Sequence, residues 1–187
     1  MRAGDRGPGQ RAPANWGRRA LLAGVGVAAA AGGVIWQRRN ASGPTVATAD
    51  GSAPLWEQRF PRPEGGELVM AEKRGRPLLV NFWATWCPPC VKELPEIDRF
   101  ARGQGTKLSV VGLAIDSADP VRAFLQRVPL SFDIGLAGLV GSELARGLGN
   151  PGGLLPFTVL IGADGKVLQR KLGETTFDEL STWARAL

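Results

Sequence analysis

Blocks of apolar and polar positions along the last two thirds of the chain predict a run of alternating strands and helices. Pro77 to Ala84 is continuously apolar except for Asn81. A run that short, without helical periodicity, predicts a strand buried on both faces. From Pro88 the period changes. Cys90, Leu94, Ile97 and Ala101 recur at i, i+4, i+7 and i+11, which places them on one face of a helix. Pro88 and Pro89 suit its first turn, where no N–H is needed. Pro95 predicts a kink inside it, and Gly103 and Gly105 predict its end. Leu108 to Ile115 predicts a second buried strand. Asp116 to Val128 contains a helix starting near Asp119-Pro120, and Leu139 to Leu148 a further short one. Phe157 to Ile161 predicts a third strand. Ala163-Asp164-Gly165 is a hairpin turn, with Lys166 to Leu172 as the returning strand. Thr176 to Ala186 closes the chain as a helix with Phe177, Leu180 and Ala184 on one face.

This order predicts an α/β fold. The early alternation of strands and helices favours parallel pairing, whereas the last hairpin is necessarily antiparallel. A three-layer arrangement follows, with a mixed central sheet and helices on both faces. No internal repeat is present.

The first third has a different pattern. Ala20 to Trp36 is 17 residues without a charge, about 25 Å as a helix at 1.5 Å per residue. Five arginines precede it and two follow. It reads as a membrane anchor or an export signal. The positive-inside rule places residues 1–19 in the cytoplasm and everything after Arg39 outside. Arg18-Arg19 resembles a twin-arginine signal, and Ala47-Thr48-Ala49 a cleavage site, although cleavage normally falls close behind the apolar run. An uncleaved single-pass anchor is therefore preferred over a cleaved, soluble form. Residues 37–65, rich in Pro, Gly and Ser, read as a linker, with Leu55, Trp56 and Phe60 apolar enough to dock on a domain at 66–187.

Charge changes the picture once. The net charge of +6 suggests nucleic acid, but residues 1–40 hold seven arginines and one aspartate. Beyond them, 16 of the 23 basic and 16 of the 17 acidic side chains cancel. A nucleic-acid binder would carry its excess on the folded domain, so no nucleic-acid partner is expected.

The candidate chemistry is Trp86-Cys87-Pro88-Pro89-Cys90, which holds both cysteines of a chain without histidine. A Cys-x-x-Cys pair at a strand-to-helix junction is a redox device, a low-pKa thiol with a resolving partner beside it. Metal binding is the weaker reading. Two thiolates suit a soft ion such as Cu(I), but zinc needs four ligands. A purely structural disulfide would close too short a loop to gain much. No metal and no cofactor are expected.

The motif Asn81-Phe-Trp-Ala-Thr-Trp-Cys-Pro-Pro-Cys90, followed by Glu93-Leu94-Pro95, Leu155-Pro156-Phe-Thr-Val-Leu-Ile161 and Asp164-Gly165-Lys166-Val167, resembles the membrane-anchored thioredoxin-like proteins of the TlpA/ResA/DsbE group. The resemblance covers about Gly66 to Leu187. It implies a thioredoxin-like fold and a thiol–disulfide oxidoreductase of the bacterial inner membrane, with its catalytic domain on the periplasmic side. By that resemblance Cys87 is the nucleophile, Cys90 the resolving thiol and Cys87-Cys90 the redox-active disulfide. Pro156 matches a cis-proline facing it, and the Leu155 backbone would pair with a substrate chain. Glu93 matches a buried glutamate of the reducing members. Implied partners are thiols and disulfides of exported proteins, such as apocytochrome c or metal-site assembly factors, and a membrane thiol-transfer protein as electron donor. Asn81 departs from the cytosolic thioredoxins, which carry a buried aspartate there. Phe157 departs from the common Thr.

The residues add their own expectations. Cys87 at a helix N-cap gains from unpaired amides and the helix dipole. Neither proline offers an N–H, so Cys90 supplies the nearest one. Fewer donors leave the thiolate less stabilised and the couple more reducing, nearer about −270 mV than about −120 mV. An oxidase or isomerase is the alternative. Glu93, at i+3 from Cys90, is either a solvated helix glutamate or, if buried, a group that takes or gives the Cys90 proton. Trp86 reads as an exposed rim that contacts substrate, and Trp83 as core.

Overall fold

The computed structural model describes residues 52–187. A helical turn, α1 (Ala53–Trp56), starts with Pro54 in its first turn, and the Ser52 hydroxyl donates to the Gly165 carbonyl at 2.7 Å. Two short strands follow, β1 (Arg59–Pro61) and β2 (Glu67–Val69), paired antiparallel. A 3-10 turn (Met70–Lys73) leads to β3 (Leu78–Trp83). Then come α2 (Pro88–Gln104), β4 (Ser109–Ala114), α3 (Ala118–Arg127), β5 (Asp133–Leu136) and α4 (Gly138–Gly147). The chain ends with β6 (Phe157–Ile161), β7 (Val167–Leu172) and α5 (Phe177–Arg185).

Five strands form one sheet in the order β5-β4-β3-β6-β7. β3, β4 and β5 run parallel, while β6 is antiparallel to both β3 and β7. This is the expected mixed sheet. Every residue of β3 is buried, as its unbroken apolar run requires of a central strand. Period-2 alternation sends its side chains to two cores. Leu78, Val80 and Phe82 pack with α1, the β1–β2 hairpin and α4. On the other face Leu79 joins Ile97 and Phe100 of α2 and Leu180 of α5, and Trp83 joins Leu94, Val121 and Phe124. Gly112 on β4 makes room for that indole: a Cβ there would lie 3.1 Å from Trp83 Nε1 and 2.8 Å from Ile134 Cδ1.

Several elements differ from the sequence reading. β5 is a strand that the pattern did not predict, and regular structure begins in α1 and β1, ahead of residue 66. Leu55, Trp56 and Phe60 are buried. The hairpin is tied to β5 by Asp133, which accepts from Arg62 at 2.7 Å and Lys73 at 2.5 Å. α2 runs through Pro95 to Gln104, and Gly105, at φ +56°, follows as its cap. Residues 1–51, including the segment 20–36 read as anchor or signal, lie outside the described residues. Among those described, no helix is long and apolar enough to cross a membrane.

Candidate active site

Parallel β3, β4 and β5 finish at one end of the sheet, and antiparallel β6 starts there. The candidate residues gather at that end. β3 delivers Trp83, and the loop that follows is pinned by Asp116 at the end of β4. The Asp116 carboxylate accepts from the Thr85 N–H at 3.0 Å and from its hydroxyl at 2.6 Å. Trp86 projects from this loop, 65% exposed.

Cys87 is the N-cap of α2, with extended backbone angles. It forms a disulfide with Cys90. Its sulfur accepts from the Cys90 N–H at 3.3 Å. An N-cap side chain takes its donors from the second or third helical residue. The second here is Pro89, which has none, so the third provides the contact. Cys90 is fully buried and Cys87 is 5% exposed. Both sulfurs pack in the apolar cluster that holds Trp83, and the side chain of Leu155 packs against it. Leu155 and Pro156 are joined by a cis peptide bond just ahead of β6. Among the described residues, the Leu155 N–H and C=O make no hydrogen bond.

Glu93 is buried on α2, not solvated. Its Oε1 accepts from Asn81 Nδ2 at 2.7 Å. Its Oε2 accepts from the Thr175 N–H at 2.6 Å and from the Thr175 hydroxyl at 3.0 Å. Asn81 Nδ2 also donates to Thr158 Oγ1 at 3.0 Å. The carboxylate thus joins β3 to the β7–α5 connection, Asn81 extends the network to β6, and among the described residues no cation touches the carboxylate. Burial raises its pKa above the ordinary carboxylate value, against the opposing pull of the Thr175 and Asn81 donors. Asn81 Oδ1 is buried without a partner. One residue before Glu174, the Gly173 N–H donates to the Pro156 carbonyl at 2.9 Å.

Sequence reasoning did not single out Thr158, Thr175 or Asp116. Their partners lie 77, 82 and 31 residues away along the chain, and no local pattern carries that information. The arrangement suits thiol–disulfide exchange: a helix-capping sulfur beside a fully buried one, with a buried carboxyl one turn further on.

A family model described as Redoxin matches residues 46–187. Over 126 residues the chain is 29% identical to the thiol-disulfide oxidoreductase ResA of Bacillus thuringiensis subsp. konkukian (strain 97-27), covering 66% of this chain and 70% of that protein. A thioredoxin-related protein from Neisseria meningitidis serogroup B, 28% identical, superposes with a TM-score of 0.60 over 69% of this chain and 97% of its own. A secreted Mycobacterium tuberculosis disulfide oxidoreductase homologous to E. coli DsbE gives a TM-score of 0.61 over 72% of this chain and 99% of its own. At 22% identity, that last likeness speaks for the fold.

Proposed function

Because the chain belongs to the redoxin family and is a thioredoxin-like protein-disulfide reductase, we propose that it reduces disulfides of exported proteins through Cys87 and Cys90. The Cys87 thiolate attacks one sulfur of the substrate disulfide, and the other sulfur leaves as a thiolate. A mixed disulfide links Cys87 to the substrate. Cys90 gives up its proton and attacks Cys87, which expels the second substrate sulfur and closes the Cys87–Cys90 disulfide. One helical turn separates the two cysteines, so the second attack is intramolecular. Glu93 takes the Cys90 proton, held in place by Asn81 and Thr175. Trp86 and the Leu155 backbone contact the substrate chain beside Pro156.

The observation that carries this reading is the disulfide capping α2 with, among the described residues, a single amide donor, beside a buried carboxyl that no cation of those residues neutralises. A thiolate with one donor is weakly stabilised, which favours the reducing direction. Substrates would be apocytochrome c or metal-site assembly factors, with electrons returned by a membrane thiol-transfer protein. Residues 20–36 would hold the domain on the periplasmic side of the inner membrane, or direct its export. A Cys90→Ser variant stops the cycle at the mixed disulfide. Mass spectrometry of the trapped adduct should identify an exported protein joined to Cys87, and a trap holding only cytosolic proteins would refute the assignment.

A further inference from the structure

We propose that Asn150 is a positioning residue that sets the backbone edge on which a substrate chain docks; this rests on the reductase reading above. Asn150 lies three residues beyond α4 and is 3% exposed. Its N–H donates to the Ala145 carbonyl at 3.0 Å, which fixes it to the end of that helix. Its own carbonyl accepts from the Gly153 N–H at 2.9 Å. The side chain then grips one residue at both ends. Asn150 Nδ2 donates to the Leu154 carbonyl at 2.8 Å, and the Leu154 N–H donates to Asn150 Oδ1 at 3.3 Å.

One carboxamide thus meets both backbone polar groups of Leu154, as a neighbouring strand residue would. The next residue is Leu155, whose own N–H and C=O have no partner among the described residues and whose side chain packs on the cluster containing both sulfurs. The clamp satisfies Leu154 from within the protein and leaves the adjacent pair of groups as an open edge on the residue whose side chain packs on the disulfide's cluster. Such an edge recognises an extended polypeptide through main-chain hydrogen bonds. Asn150 touches neither sulfur nor substrate. Its contribution is to hold the loop so that the Leu155 groups need not be ordered when substrate arrives.

The discriminating measurement uses the full chain and three oxidised substrates. One is a peptide disulfide with free backbone amides, one is the same peptide N-methylated beside its cysteine, and one is 2-hydroxyethyl disulfide, which has no peptide backbone. Asn150→Ala should raise KM for the free-amide peptide about tenfold, the scale of one hydrogen bond. Its kcat, the Cys87–Cys90 potential and the rate with 2-hydroxyethyl disulfide should stay unchanged. Asn150→Asp keeps the acceptor for the Leu154 N–H and loses the donor to its carbonyl, so it should fall between. N-methylation should weaken the wild-type chain about tenfold and the Asn150→Ala chain hardly at all. An equal loss on peptide and small disulfide, a moved potential, or the same N-methylation penalty in both proteins would overturn the inference. If Asn150→Ala does not fold, a peptide-specific rise in KM in Asn150→Asp supports it and its absence refutes it. A wild-type chain that turns over 2-hydroxyethyl disulfide but neither peptide would remove the reductase reading and this inference with it.

Discussion

Two carboxylates, the buried Glu93 behind the active site and the half-buried Asp133 at the β5 edge, are held by opposite means. Asp133 is gripped by two cations, Lys73 and Arg62. Burial would raise its pKa, but those partners outweigh burial and hold it below the ordinary value. Asp98 behaves alike: burial is outweighed by two bonds from Ser131 and by Arg102. Among the described residues Glu93 receives only neutral donors, and there burial prevails. The difference separates two tasks. A carboxylate paired with cations stays ionised and ties elements together, here the β1–β2 hairpin to β5. A carboxyl buried among amides and hydroxyls moves towards the pH at which it can exchange a proton.

The sharpest way to break this contrast is Glu93→Gln. It should lower the reductase rate about 100-fold at neutral pH and flatten the acid limb of the pH–rate profile; an unchanged profile would remove Glu93 from the mechanism. Asp133→Asn should do the reverse. It should cost about 1–3 kcal/mol in urea denaturation, leave the turnover of a small disulfide unaltered, and loosen the hairpin in hydrogen exchange. Pro89→Ala restores an amide within reach of the Cys87 sulfur. One added bond to a thiolate, about 1.5 kcal/mol, corresponds to about 30 mV for a two-electron couple. The potential should therefore rise by that much in a glutathione titration, and the Cys87 pKa should fall. Smallest is the pH dependence of stability. The native Glu93 pKa lies above its unfolded value, so the folded state holds the extra proton and stability declines as pH rises through that pKa. Asp98 and Asp133 are depressed, so their contribution is present above the ordinary carboxylate value and lost as pH falls below it. Urea midpoints measured from pH 3 to 8 should show the upper decline in the wild type and not in Glu93→Gln.

Legibility in the sequence followed the range of the interactions. β3, α2, β6 and β7 announce themselves through period and turn chemistry, and Cys87, Cys90 and Glu93 fall within seven residues of one another. β5 did not, because it is four residues long and its third is Gly135. That glycine is a packing requirement: a Cβ there would meet Phe60 at 2.9 Å and Leu68 at 3.0 Å, the buried residues of the hairpin's two strands. β1 and β2 hold one buried side chain each, too few to show a period. The hydrogen-bond network around Glu93 was half legible. Its helical member lies in the motif, whereas Thr158 and Thr175 reach it only through the pairing of β6 with β3 and the return of the chain from β7.

The connection from Gly173 to Thr175 serves both halves of the site, since its first residue holds the Pro156 carbonyl and its last holds Glu93. Gly173 adopts φ +97°, a torsion that side chains rarely tolerate. Under the proposed mechanism, docking and deprotonation would therefore share a single mechanical linkage. A change of length or residue in those three positions would alter both together, and a designer wishing to retune one while sparing the other would have to work elsewhere.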